Sequence, residues 1–481
     1  MKVTFIALLT FLLCLSAVGE QKEKTPKIEH KKQLSQHGVT WTFNKEVPIG
    51  RFVNGDYYVV GPVEITKIDP APVEGRNGSV LNLDPRRGKT GFDQRSNRGN
   101  SYSPRMRSNP PIMMLPGDSL LSSVSSEKER QFQQMLWPFD PAKGMARCWV
   151  RSVSVLTCVK TPLPVDAFRP AFCDRTNKVY LARTLRRDLL LNIPTVKGTP
   201  PPSKFAEHFQ RCWVDSMRQN KSAPAEYAPQ YGRETMRAGG MATLILMSDF
   251  LVKDKERLLV NFIQYGIDLY GALNTGWTGW GTLGGHGQGR KWPIIFAGIM
   301  FGDEKMAHPD KTFPEIIFQE DNQTVYGKGW TGATALFAGH LGKSGWALYP
   351  NQDRRGFFAE TTHPSRWPND GKGTKFSNPG RTAEGYRRCC TSHAWIATAL
   401  SIRIMRAESI WNHNAFVDYC DRWMTEDDTE HVKILARHAG MNVSSSQRQR
   451  QTWDPWVDAM YKKYRNNLPV VKEINFSPDK E

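Results

Sequence analysis

Cysteine is scarce in this chain, eight in 481 residues, and no Cys-x-x-Cys or His-Glu-x-x-His spacing occurs. A dedicated zinc site and a disulfide-built scaffold are therefore not indicated. Acidic residues are also short: 47 Asp and Glu stand against 65 Lys and Arg, a formal net charge of +18. Such a surplus suits an anionic partner, whether lipid, nucleic acid or acidic polysaccharide. Nucleic acid lacks its motifs, with no zinc-finger spacing, no RNA-recognition aromatic signature and no basic helix. Long apolar runs are confined to one place. Val3 to Val18, after Lys2 and ending in Ala17-Val18-Gly19, has the three regions of a secretory signal peptide and is short for a membrane span. Cleavage near Gly19 predicts a secreted or periplasmic protein with no stable membrane insertion afterwards. Leu12-Leu13 before Cys14 lacks the small residues of a lipoprotein site. Seven cysteines then remain, an odd number that leaves at least one unpaired.

What is present is an ordinary globular mixture, 23% charged and 39% hydrophobic, in a chain long enough that two domains are the default expectation. After the signal, residues 20–36 read as a polar, lysine-rich leader. A β-rich domain is expected over 37–193. Val39 to Phe43 alternates, and Gly50 to Val53 is joined through Asn54-Gly55 to Tyr57 to Val60, the short-range signature of a hairpin. Val63 to Thr66 and Trp149 to Val159 continue the strand pattern, which predicts a β-sandwich-like domain. Arg86 to Pro111 interrupts it with seven basic residues and reads as a long solvated loop.

Pro194 to Pro202 reads as the linker into a helical domain over 203–481. Met241 to Val252 is apolar nearly all round. Leu258, Leu259, Phe262, Ile263, Gly266, Ile267 and Tyr270 recur at i, i+3, i+4 spacing, the mark of an amphipathic helix. Further helices are expected over Trp292 to Phe301, Ala394 to Met405, Ala415 to Met424 and Asp454 to Tyr464. Between them lies the most distinctive stretch, Asn274 to Asp303, with seven glycines from Gly276 to Gly289. Gly276-Trp277-Thr278-Gly279 recurs as Gly329-Trp330-Thr331-Gly332, and Gly385-Tyr386 follows, at offsets of 53 and 56 residues. Two helices with their loops fill such a period, which predicts helical hairpins closed into a ring with the glycine-aromatic junctions on one rim.

Gly284 to Lys291 lacks the Gly-Lys-Ser/Thr ending of a phosphate cradle and follows no clear strand, so nucleotide binding is set aside. The rim groups are instead Asn274, Trp277, Trp280, His286 and Arg290 at the first junction, Trp330 and His340 at the second, and Arg381, Tyr386, Arg387, Arg388 and His393 at the third. A cationic, aromatic cleft of this kind suits β-elimination on a uronate polymer. Abstraction of the weakly acidic C5 proton needs the neighbouring carboxylate offset by Arg, Asn or His, and a Tyr or His must move the proton. A phenol, with its ordinary pKa near ~10, serves as a base only where cations lower that value.

From Phe205 to Tyr464 the chain resembles the polysaccharide lyases built on an (α/α) toroid, the alginate and glucuronan lyase type with an accessory β-domain. The resemblance rests on the helical-hairpin organisation and on Gly276-Trp277, Gly329-Trp330 and Gly385-Tyr386-Arg387-Arg388. It implies a multidomain α+β protein, a β-sandwich-like domain followed by a toroid. It also implies that His286 and Arg381 neutralise the carboxylate, that Tyr386 is the acid or base, and that His340 or His393 is a second proton-transfer group. Asn274, Trp277, Trp280, Arg290, Trp330, Arg387 and Arg388 would hold the sugars. The partner is then an anionic polysaccharide. No cofactor or metal site is required, and calcium stays open. Two other readings stand beside this one: a glycoside hydrolase on the same toroid, drawing on Asp249, Asp268, Glu360 and Glu384, and a non-catalytic glycan-binding surface protein.

Overall fold

The structure, a computed structural model, describes residues 26–87, 89–93, 95–96, 99–100, 102–132, 146–214, 232–281, 284–339, 355–368 and 378–476. The signal segment, the start of the leader and His340 lie outside the described residues.

The N-terminal strands are β1 (Glu29–Gln36), β2 (Val39–Arg51), β3 (Tyr57–Val60), β4 (Val63–Asp69), β5 (Ser79–Leu81), β6 (Arg95–Ser96), β7 (Gly99–Asn100), β8 (Ile112–Met114), β9 (Ser119–Phe132) and β10 (Ala146–Val159). Eight of them form one sheet, ordered β5-β9-β10-β3-β2-β4-β8 with β1 paired to β2, and β6 with β7 makes a separate ribbon. The sheet curls into a half-barrel, where a two-sheet sandwich was expected. Register shifts interrupt β1–β2, β2–β4 and β9–β10, and each such bulge adds bend and twist. Three long strands can thus curl where flat ones would need a second sheet.

The leader is shorter than its composition suggests, because β1 occupies Glu29–Gln36. Its lysines face solvent while Leu34 and Gln36 are buried. His37 and Gly38, at φ 49° and 84°, form the two-residue turn with both φ positive that matches strand twist. The Asn54-Gly55 hairpin is present, with Ile49 opposite Val59 and Arg51 opposite Tyr57.

Alternation divides the sheet's two faces. Trp41, Phe43, Val59, Leu120 and Leu156 fill the half-barrel's own core. Their chain neighbours Leu121 and Val155 point the other way, into a larger core shared with the helices.

The helices are α1 (Pro202–Phe205), α2 (Gly232–Met247), α3 (Val252–Asn274), α4 (Lys291–Phe301), α5 (Glu304–Ala307), α6 (Pro309–Thr312), α7 (Gln319–Asn322), α8 (Arg355–Thr361), α9 (Pro379–Cys390), α10 (Ser392–Ile404), α11 (Glu408–Trp411), α12 (Asn414–Thr425), α13 (Thr429–Ala439) and α14 (Pro455–Tyr464). The chain is thus a mixed α/β protein, a curled sheet followed by a helical part. Among the described residues no helix is long and apolar enough to cross a membrane.

Helix α3 departs from its amphipathic reading, since every residue from Leu258 to Leu273 is buried. Its polar positions face protein. Asn261 donates to Ala206 O at 3.3 Å, Gln264 donates to Arg169 O at 3.0 Å, and Asp268 receives Arg169 at 2.6 Å. Arg169 also reaches Asp56 beside the β2–β3 turn at 2.6 Å and is itself 1% exposed.

Four short strands complete the helical part: β11 (Gly279–Trp280) pairs with β12 (Ile317–Phe318), and β13 (Thr324–Tyr326) with β14 (Ala335–Phe337). They correct the repeat. The first Gly-Trp-Thr-Gly connects α3 to a strand, the second is the tip of the β13–β14 hairpin, and Gly385-Tyr386 lies inside α9. A short glycine-aromatic word favours close turns of several kinds and so recurs without a shared structure.

Candidate functional site

The glycine-rich loop before α4 is a compact, braced structure. Gly289 sits at φ +87°, and a Cβ there would meet Met236 N at 2.4 Å. A Cβ on Gly287 would meet Gly281 O at 2.5 Å. Only glycine permits both approaches. The loop is then fastened by α7: Gly287 N donates to Gln319 Oε1 at 2.7 Å and Gly289 N to Glu320 Oε1 at 2.9 Å. Gln319 Nε2 returns a bond to Gly284 O at 2.7 Å.

Tyr386 completes this arrangement from α9. Its phenolic oxygen receives Gln319 Nε2 at 3.1 Å and Gln323 Nε2 at 3.0 Å, and its hydroxyl donates to Gly284 O. The ring is half-buried, 5.9 Å from that of Phe337 on β14. Gln288 ties the loop to the end of that helix and to α10, donating to Cys390 O at 2.7 Å and accepting from Trp395 Nε1. Three segments distant in sequence thus meet at one phenol.

Beside it, β14 borders a cleft of about 520 Å³ lined by Tyr326, Thr331, Gly332, Asp418, Arg422 and Glu426 among others. Its acids are engaged: Glu426 accepts from Arg422 at 2.9 Å and Tyr326 donates to Asp418 at 2.6 Å. Trp330 lies at the hairpin tip, its indole N–H donating to Ala359 O at 3.1 Å and its ring 5.1 Å from His363 and 5.3 Å from His431.

Several residues expected at the substrate face inward instead. Arg290 is fully buried, donating to the carbonyls of His286 and Gln288, so it braces its own loop. Trp280 is fully buried and stacks on Phe318 at 6.2 Å. Arg387 pairs with Glu384 at 2.6 Å and Glu360 at 3.3 Å. Arg388 pairs with Glu384 at 2.7 Å and Asp428 at 2.5 Å. A guanidinium this buried needs fixed carboxylates, so these two arginines clamp α9 to α8 and to the start of α13. Burial alone would raise the Glu384 carboxyl, but Arg387 and Arg388 outweigh it and hold it at about 2. His393 is 1% exposed, stacked on Trp453 at 4.7 Å with Nδ1 2.9 Å from Gln451 O. Burial pushes its pKa down to about 3, so it is a neutral core imidazole.

His286 is buried too, 5% exposed within the braced loop. The remaining residues lie nearer the surface. Trp277 is half-buried, 6.5 Å from Trp280. Asn274 is exposed and donates to Asp174 at 3.1 Å. Arg381 is exposed in the first turn of α9, its backbone N–H capped by Asn378.

Sequence reasoning missed Gln319, Glu320 and Gln323. They sit in a polar run, Gln319-Glu320-Asp321-Asn322-Gln323, that reads as solvated loop. The i, i+4 spacing of the two glutamines was the available signal, since it puts both amides on one side of a helical turn. Glu320 is fully buried, and burial pushes its carboxyl up to about 7 against the Gly289 N–H. Among the described residues no group of three or more His, Cys, Asp or Glu is arranged to hold a metal ion.

No protein-family model matches this chain, and no curated protein and no solved structure matches it.

Proposed function

We propose that the protein is a polysaccharide lyase that cleaves a uronate-containing glycan by β-elimination, with the helical part arranged as an (α/α) toroid. The observation that carries this reading is the phenol of Tyr386, fixed between the amides of Gln319 and Gln323. Two N–H donors aimed at one phenolic oxygen stabilise negative charge on it, which a tyrosine base needs. Tyr386, as the phenolate left when the proton it gives Gly284 O has departed, would take the C5 proton. The C5–H pair would form the C4–C5 double bond, and the C4–O bond would break with its pair on the leaving oxygen, which would take a proton from water. Arg381, exposed on the same helix, and His286 on the adjoining loop would offset the substrate carboxylate. Trp277 offers a half-exposed ring for a sugar face, and the +18 net charge suits a polyanion.

The hydrolase alternative is less well supported. It needs two available carboxylates, whereas Asp268 is held by Arg169, Glu360 by Arg387 and Arg422, and Glu384 by Arg387 and Arg388. The test is incubation with a panel of uronate polymers, following the ultraviolet absorbance of the unsaturated product end. Absorbance should rise on at least one polymer, and Tyr386→Phe should lower the rate by about 10²–10⁴-fold, the range for a general acid or base. New reducing ends without absorbance would support the hydrolase, and full activity in Tyr386→Phe would remove Tyr386 from the chemistry.

A further inference from the structure

The end of α9 carries a disulfide between neighbours, Cys389 and Cys390. Consecutive helical residues point about 100° apart around the axis, so bonding their sulfurs sets them against regular helix. The helix does stop there: α9 ends at Cys390, Thr391 adopts φ −135° and ψ −74°, and α10 begins at Ser392. Without that break the two helices would run as one.

Both carbonyls of the pair are used by other segments. Arg233 Nη1 on α2 donates to Cys389 O at 2.6 Å, and Gln288 Nε2 on the glycine-rich loop donates to Cys390 O at 2.7 Å. In a continuous helix those carbonyls would instead receive the N–H groups four residues on, those of His393 and Ala394. Here Ala394 N donates to Thr391 O at 2.8 Å, which leaves Cys390 O to Gln288. Cys389 and Cys390 are partly exposed, as is the free Cys212, whereas Cys158, Cys173 and Cys420 are buried. A small thiol can therefore reach this pair, and Cys212, which carries no disulfide, offers it nothing to reduce.

The geometry points to a thiol–disulfide switch at Cys389–Cys390 that sets how the Gly284–Lys291 loop is held against α9, acting through Gln288. In the reducing direction a dithiol attacks one sulfur, the Cys389–Cys390 bond breaks, and the mixed disulfide is resolved by the reagent's second thiol. Two electrons and two protons pass to the cysteines, and the reductant leaves as its own disulfide. The freed thiols let the helix wind through Thr391, which withdraws Cys390 O from Gln288 and loosens the loop beside Tyr386. This switch does not depend on the lyase reading.

The experiment uses the full-length protein with and without dithiothreitol, and reads two things. Native alkylation with iodoacetamide followed by mass spectrometry should label Cys389 and Cys390 only after reduction; labelling of both without reductant overturns the disulfide. Hydrogen–deuterium exchange should then show amides of the Gly284–Lys291 loop exchanging roughly tenfold faster in the reduced protein, the factor expected for losing a hydrogen-bonded anchor, with α3 unchanged. A reduced pair with unaltered loop exchange overturns the switch. Cys389→Ser/Cys390→Ser should show the faster exchange without reductant and no response to it, while a response that persists in this variant would assign the effect to another cysteine.

Discussion

Gln319 Nε2 lies 3.1 Å from Tyr386 Oη across 67 residues of chain. The same side chain bonds Gly284 O at 2.7 Å and Gly287 N at 2.7 Å. One amide thus organises the phenol and the loop together, although α7 is only four residues long.

Gln319→Leu should therefore loosen the loop as well as strip a donor from Tyr386. It leaves Gly287 N buried without its acceptor, a loss of about 1–3 kcal/mol, read as a lower urea midpoint. Gln323→Leu removes one donor to Tyr386 without touching Gly287. It should lower activity on the cleaved polymer with a smaller change in stability.

Glu320 makes stability pH-dependent in an unusual direction. Its carboxyl ionises near 4.5 when free and at about 7 in the folded chain, so between these values the native state holds a proton that the unfolded state has released. Stability from this group is present below about 4.5 and is lost as pH rises through 7. The expected loss is on the order of 3 kcal/mol. Glu320→Gln should remove that dependence, measured by urea unfolding from pH 4.5 to 8; an unchanged slope would mean that Glu320 is ionised throughout.

His393 works in the opposite direction. Its imidazole protonates at about 3 in the fold and at 6.5 when free, so stability present above 6.5 is lost as pH falls toward 3. Glu384, held at about 2, adds a loss between 4.5 and 2. His393→Gln should flatten the upper part of this acid limb and leave the lower part, in the same unfolding series.

Arg388→Met should separate architecture from chemistry. It removes one of two arginines from each of Glu384, which keeps Arg387, and Asp428, which keeps Arg448, so the loss should fall below the about 3–5 kcal/mol of a buried charge left with no partner. Arg381→Met removes an exposed charge and should leave the urea midpoint within about 0.5 kcal/mol while reducing turnover of an anionic polymer. Equal destabilisation by both would show that Arg381 is structural.

The helices were legible where their apolar pattern is intact: α4, α10, α12 and α14 lie where the pattern put them, while α2 runs Gly232–Met247 and not Met241 to Val252, because the apolar run continues past the helix end into the start of α3. The hairpin at Asn54-Gly55 was legible because turn chemistry is local. Other features escaped for a common reason, that charge and polarity in a sequence read as solvent. β1 was hidden by its lysines, the buried polar face of α3 by Asn261, Gln264 and Asp268, and the α9 clamp by Arg387 and Arg388, which advertise a ligand site until their carboxylates are seen. At the candidate site the phenol and the loop were legible, and the glutamines that join them were not.

Arg169 has a bearing on how the chain folds. Its guanidinium is shared between Asp56 at the sheet and Asp268 on α3, and burial pushes the Asp268 carboxyl up to about 6 even with that partner. The sheet half keeps the Arg169–Asp56 pair, but the helical half loses the arginine that holds Asp268. A chain severed at Pro194 would leave Arg169 and Asp56 on one fragment and Asp268, buried in α3, on the other. The sheet and the helices should accordingly melt in one transition, and the isolated pieces should be poorly soluble apart yet recover native structure when refolded together.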